Sequence, residues 1–201
     1  MSTNDYKIRT AEPSDAINLS SVINIAFEVD DVFKKPQCRG RISKDGTAAL
    51  KMMRNNAEFL LVQCSSVERF GGIIGVSYIH WYHDGVHRLC PEDANRGPVG
   101  TFSMLSVLPE FSGKGLGKLL VDLSEKKSAE RLKRFAPEKE QFIMEVPIVS
   151  PRKDVLEHFY GKLGYRMEEP RPFPEPGIIL PSFDVSLIVF RKIIKFKSSI
   201  G

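Results

Sequence analysis

Three glycines at 113, 115 and 117 sit between a strand-like segment and a helical one, and they constrain this chain more than any other feature. The segment reads Ser112-Gly-Lys-Gly-Leu-Gly117. Val99 to Val107, before it, reads as a strand. After it, Leu116, Leu119, Leu120 and Leu123 fall at i, i+3, i+4 and i+7, one face of a helix that runs to about Arg134. Glycine lets backbone approach a ligand closely. The first turn of a helix presents unpaired N–H groups at the positive end of its dipole. A glycine turn leading into a helix therefore suits a phosphate, and Lys114 and Lys118 add charge beside it.

Several readings of this turn compete. A Walker loop needs Lys-Ser/Thr after its last glycine and a glycine at its start, whereas Lys118 is followed by Leu119 and Ser112 stands at the start. The dinucleotide fingerprint accepts Gly113 and Gly115 but meets Lys118 at its third glycine, and it belongs after the first strand of a domain rather than the fourth. The acetyl-CoA pyrophosphate loop, Gln/Arg-x-x-Gly-x-Gly/Ala, accepts Gly115 and Gly117. A glycine turn with no ligand is the remaining reading.

The rest of the chain supplies a mixed α/β pattern. Tyr6 to Thr10 is a short strand, and Ala11-Glu-Pro-Ser-Asp15 has the chemistry of a helix start. Ile17, Val22, Ile25 and Ala26 recur at helical spacing up to Phe27, and residues 28–46 are irregular and charged. Thr47 to Asn56 reads as a second helix with Ala49, Met52 and Met53 inward. Glu58 to Gln63 and Gly71 to Tyr82 read as strands, followed by a polar loop over residues 83–98. Gln141 to Val146 is a further strand. Asp154 to Lys162 is a short helix with Val155, Leu156, Phe159 and Leu163 as its apolar stripe, ended by Gly164 at the left-handed C′ position. Tyr165 to Glu168 and Phe183 to Arg191 close the sheet. Pro170 to Pro176, with four prolines, can be neither a helix nor a central strand.

Composition excludes several classes. A net charge of +4 from scattered residues does not describe a nucleic-acid surface, and no apolar run approaches a membrane span. Cys38, Cys64 and Cys90 are odd in number and form no CxxC pair, so neither a disulfide framework nor a metal site follows from them. The polar start Met1 to Tyr6 lacks the apolar segment of a signal peptide. The expectation is one domain over residues 1–195 with a frayed tail over 196–201, in the cytosol or nucleus, as a monomer or homodimer.

Two segments together carry a family resemblance. Leu105-Ser-Val-Leu-Pro109-Glu-Phe-Ser-Gly-Lys-Gly-Leu-Gly-Lys-Leu-Leu120 resembles the core motif of the GNAT N-acetyltransferases, and His158-Phe-Tyr-Gly-Lys-Leu-Gly-Tyr165 resembles their second motif. The opening, Ile8-Arg-Thr-Ala-Glu-Pro-Ser-Asp15, is similar to a GNAT first strand and helix start, so the likeness covers nearly the whole chain. Phe27 to Arg41 and Arg171 to Pro176 resemble one branch of the superfamily. Two positions depart from the pattern: Ser112 replaces the usual Gln or Arg, and Lys153 stands where an Asn is common.

The resemblance implies a GNAT fold, a mostly antiparallel mixed sheet flanked by helices and splayed between its fourth and fifth strands. It implies acetyl-CoA as co-substrate and no metal. Its pantetheine would pair with backbone around Leu105, Ser106 and Val107, and its pyrophosphate would lie on Ser112, Gly113, Lys114, Gly115, Leu116, Gly117 and Lys118. Tyr160 matches the tyrosine that protonates the leaving thiolate in many relatives. Glu145 stands where some relatives place an acidic residue facing the acceptor, a general base in competition with a water relay. Glu28, Asp30 and Asp31 would favour a cationic amine, whereas Arg39 and Arg41 would favour a carboxylate-bearing one. The acceptor is the amine of a small molecule or of a protein. A module that binds CoA without catalysis is the alternative.

Overall fold

The computed structural model describes residues 6–28, 41–82, 97–172 and 185–196. The chain divides into two compact units: Met1–Tyr78, Met104–Asp122 and Glu175–Asp184 in the first, and Ile79–Ser103, Leu123–Pro174 and Val185–Gly201 in the second. Two strands and one helix run through both. They are β3 (Ile73–Tyr82), β4 (Val99–Val107) and α3 (Leu116–Phe135).

The first unit opens with β1 (Tyr6–Thr10), which pairs antiparallel with β2 (Ala57–Cys64) in a register from Tyr6↔Cys64 to Thr10↔Leu60. Between them lie α1 (Ala16–Ala26) and α2 (Thr47–Met52). The strand order continues from β1 and β2 to β3 and β4. Leu19, Val22 and Ile23 of α1, Ala49 of α2 and Phe59 and Leu61 of β2 are fully or nearly fully buried. The start of α1 is fixed by Asp15. Its carboxylate takes two hydrogen bonds from the Arg9 guanidinium, at 2.6 and 2.7 Å, and one from the Glu12 N–H at 2.8 Å.

In the second unit the order is β3, β4, β5 (Gln141–Val149), β8 (Ser186–Lys195) and β6 (Arg166–Met167), with β7 (Arg171–Pro172) also against β8. β4 and β5 are parallel, and the β5–β8 ladder is antiparallel from Gln141↔Lys195 to Val149↔Leu187. The β4–β5 ladder covers only Val99–Thr101 against Ile143–Glu145, although β4 runs on to Val107 and β5 to Val149. α4 (Lys153–Lys162) follows β5. Trp81, Phe102, Phe142, Met144, Tyr160, Tyr165 and Phe190 form the core, with the Trp81 indole N–H on the Ser128 hydroxyl at 3.1 Å. The fold is mixed α/β, as the pattern along the chain implies, with a mostly antiparallel sheet and flanking helices, as the resemblance implies. Among the described residues, no helix is long and apolar enough to cross a membrane.

The elements differ from expectation in detail. α2 ends at Met52, because Met53 is extended and Arg54 bridges to Ala57. Of its three expected inward residues only Ala49 is buried. On α4, Val155 is 74% exposed and Tyr160 is the buried side chain. Arg171 and Pro172 do pair with β8, as a two-residue strand beside the main path, where proline is tolerated. Lys195 belongs to β8, and Phe196 stacks on Phe142 with ring centroids 5.2 Å apart, so order extends past the expected start of the tail.

Candidate functional site

The glycine turn lies in the first unit. Pro109–Phe111 forms one 3-10 turn, in which the Phe111 N–H reaches the Leu108 carbonyl at 2.8 Å and the Phe111 ring is buried. The chain then reverses through Gly113 at φ +73° and Gly115 at φ +80°, a left-handed region costly for other residues. A Cβ placed on either glycine would meet nothing within 4 Å. These glycines are therefore set by backbone conformation and not by crowding, and the space over them is open. α3 begins immediately afterwards, with the Leu119 N–H on the Gly115 carbonyl at 3.0 Å. Ser112 to Gly115 are exposed, and Leu116 anchors the helix start in the core. Left-handed glycines next to a helix N-terminus make a concavity of N–H groups that fits a phosphate.

The two lysines differ in use. Lys114 lies over the Phe111 ring, 4.6 Å from its centroid. Lys118 pairs with Asp122 one turn along the exposed face of α3, at 2.5 Å. Its charge is thus largely balanced within the helix, which the sequence spacing of four would have revealed.

The end of β4 is irregular in a telling place. Met104 has φ +50°, in the left-handed region that non-glycine residues rarely occupy within a strand. The Ser106 hydroxyl donates to the Met104 carbonyl at 2.9 Å. Ser106 is the buried residue here, while Leu105 and Val107 are half-buried. This kink has no mark in the sequence, since methionine carries no conformational signature.

Tyr160, in the second unit, is 3% exposed. Its ring sits among Phe102, Phe159, Tyr165 and Phe190, with centroids 5.0 to 6.0 Å away. Burial pushes its phenol well above the usual tyrosine range. Among the described residues its hydroxyl has no hydrogen-bond partner. Tyr165, beside it, directs its hydroxyl to Glu125 at 2.9 Å.

Glu145 is 1% exposed and lies across the ladder from Arg191, whose Nε donates to it at 2.6 Å. The same guanidinium reaches Glu168 at 2.5 Å, and Glu168 also pairs with Arg171 at 3.2 Å. The carboxylate expected to face an acceptor is thus held in a buried pair with Arg191 of β8, which continues through the half-buried Glu168 to Arg171 of β7. Nothing in a single sequence signals these partners.

Of the expected acceptor residues, Glu28 is exposed at the end of α1, and Arg41 lies with its guanidinium 5.5 Å from the Phe27 ring centroid. Asp30, Asp31 and Arg39 lie outside the described residues. Among the described residues, no three His, Cys, Asp or Glu side chains gather as a metal site requires.

No protein-family model matches the sequence, and no curated protein matches it. Solved structures do match the fold. An acetyltransferase of the GNAT family from Streptococcus pneumoniae aligns with a TM-score of 0.60 at 18% identity, over 94% of this chain and 99% of that one. yncA from Salmonella typhimurium, a putative acetyltransferase solved with acetyl-CoA, aligns with a TM-score of 0.58 at 17% identity, over 98% of both chains. NAA60 from Arabidopsis thaliana, solved with acetyl-CoA, aligns with a TM-score of 0.63 at 12% identity, over 94% of this chain and 98% of that one.

Proposed function

We propose that this chain, which has the fold of the GNAT acetyltransferases, transfers an acetyl group from acetyl-CoA to the primary amine of a small molecule or a protein. The carrying observation is the open turn of Gly113 and Gly115 against the start of α3. The backbone N–H groups from Gly113 to Lys118 donate to the pyrophosphate, so the loss of a Gln or Arg at Ser112 removes a supplementary donor and leaves the cradle intact. Lys114 adds charge at the rim. The backbone at Leu105 and Val107, beyond the Met104 kink, pairs with the pantetheine amides, and the buried Ser106 fixes that kink.

A neutral amine attacks the thioester carbonyl, a C–N bond forms and the C–S bond breaks. Tyr160 supplies a proton toward the leaving sulfur. Its buried phenolate would be costly, so the proton taken from the amine by Glu145 or an ordered water is passed on to the phenol, and one proton in all moves from the amine to the sulfur. Glu145 or an ordered water takes the amine proton. The Arg191 Nε already engages Glu145 Oε1 at 2.6 Å, which favours the water for that role. Glu28, Asp30 and Asp31 select a cationic acceptor. The reaction takes place in the cytosol or nucleus.

Free CoA release measured across a panel of amines tests this reading. Amine-dependent release is expected, greatest for cationic amines without a carboxylate. A preference for carboxylated members would shift selection to Arg39 and Arg41. Binding of acetyl-CoA with no release on any amine would leave a CoA-binding module instead. Gly115→Asp sets a carboxylate and a Cβ in the phosphate cradle at a left-handed position. Calorimetry on the folded variant should show acetyl-CoA affinity lowered at least about tenfold, roughly 1.4 kcal/mol. Unchanged affinity would remove the loop assignment.

A further inference from the structure

We propose that Tyr165, Glu125 and Lys192 form a clamp that positions Tyr160 for transfer. The proposal rests on the reading of Tyr160 as the proton donor. It starts from the way α4 ends. The Tyr160 carbonyl accepts the Leu163 N–H at 3.0 Å and the Tyr165 N–H at 3.1 Å, while Gly164 turns left-handed at φ +85°. Tyr165 therefore hangs directly from the backbone of Tyr160. Their rings meet edge to face, 5.8 Å between centroids, and Phe102 lies 6.0 Å from both.

The outer end of Tyr165 is fixed from two other elements. Its hydroxyl donates to Glu125 Oε1 on α3 at 2.9 Å. The Lys192 ammonium on β8 donates to both oxygens of the same carboxylate, at 2.8 and 3.0 Å, and lies 5.4 Å from the centroid of the Tyr165 ring. Charge-assisted bonds are directional and stronger than neutral ones, and a cation over the ring face restrains the ring plane as well. Phenylalanine would fill this buried position by packing alone. The hydroxyl adds orientation, and its partner stands on the helix whose first turn follows the glycine loop. Tyr160, whose hydroxyl has no partner among the described residues, takes its orientation from the packing around its ring, and Tyr165 is part of that packing. Tyr165, Glu125 and Lys192 are thus positioning residues that act through Tyr160.

The test uses the full chain, acetyl-CoA and the best amine of the panel. Tyr165→Phe, which removes one oxygen, should lower kcat about tenfold and leave the KM for acetyl-CoA within about twofold. In a Tyr160→Phe background the same change should lower kcat less than about twofold, because the effect passes through the phenol that is gone. Equal losses in both backgrounds, or no loss in either, would overturn the clamp. Glu125→Gln keeps an oxygen for Tyr165 and loses the ammonium partner, so its loss should be smaller than that of Glu125→Ala. Tyrosine ring 13C labelling reads the clamp without turnover. The Tyr160 resonance, assigned by its disappearance in Tyr160→Phe, should move or split in Tyr165→Phe, and an unmoved resonance overturns the clamp. An enzyme inactive on every amine, with that resonance shift intact, would refute the transferase reading alone. Full turnover in Tyr160→Phe would refute the donor role and, with it, the clamp's purpose.

Discussion

Burial makes the Tyr160 phenol hard to ionise, and that decides what it can do. A phenol held protonated by burial can donate a hydrogen bond at neutral pH but gives up its proton reluctantly. It is also a poor place to leave a negative charge, so in the proposed transfer its proton would move to the sulfur only as the C–S bond breaks and as the amine proton replaces it. Tyr160→Phe keeps the ring and its contacts with Phe102 and Phe190. Turnover should fall about 10²-fold, roughly 3 kcal/mol of barrier, with acetyl-CoA affinity unchanged by calorimetry. An acyl donor with a more acidic thiol should narrow the gap. Turnover within twofold of the wild type would make Tyr160 a packing residue. The residue itself was legible from its motif, but its burial was not. Leu156 and Phe159 suggest a conventional stripe, yet both are half-buried and Tyr160 goes deepest.

At the scale of elements, the short helix α4 depends on how it stops. Gly164 carries φ +85°, and a Cβ there would meet only the Lys192 Cε at an ordinary 3.7 Å. The cost of Gly164→Ala is therefore conformational, about 1 kcal/mol, read as a lowered denaturant midpoint at constant slope. Because the same turn hangs Tyr165 from Tyr160, turnover should fall with it while acetyl-CoA affinity holds. This cap was visible in the sequence, because a glycine after an apolar stripe has few other uses. Strand ends were less visible. The sequence pattern ends β5 at Val146, yet the strand continues to Val149. The ladder with β4 has already ended at Glu145 when Pro147, which has no N–H to donate, takes its place opposite Val189 of β8.

For the molecule as a whole, the order of strands and helices followed from local patterns, and the charge networks did not. Arg191 finds Glu145 46 positions away, and Lys192 finds Glu125 67 positions away. Such pairs are made by register, which one sequence does not display. Arg9 and Asp15 are an exception, close in sequence, and their pairing bears on global stability. The Arg9 guanidinium, outweighing the effect of burial, holds the Asp15 carboxyl below its ordinary value of 3.8. Arg9 also donates to Gln63 of β2 at 2.8 Å, and Gln63 donates to the Gly71 carbonyl at 2.9 Å, so one carboxylate organises β1, β2 and the start of α1. Since the folded value lies below the unfolded one, the folded state binds fewer protons between the two. The contribution of Asp15 is therefore whole above the unfolded value and is lost as pH falls through the folded one. Asp15→Asn retains an oxygen for the Glu12 N–H and loses the charge. At pH 7 the variant should be less stable by about 1–2 kcal/mol, measured by urea unfolding. As pH falls through the folded-state value of Asp15 the two proteins should converge. A difference that stays constant down to pH 2 would show that Asp15 acts through shape and not through its charge.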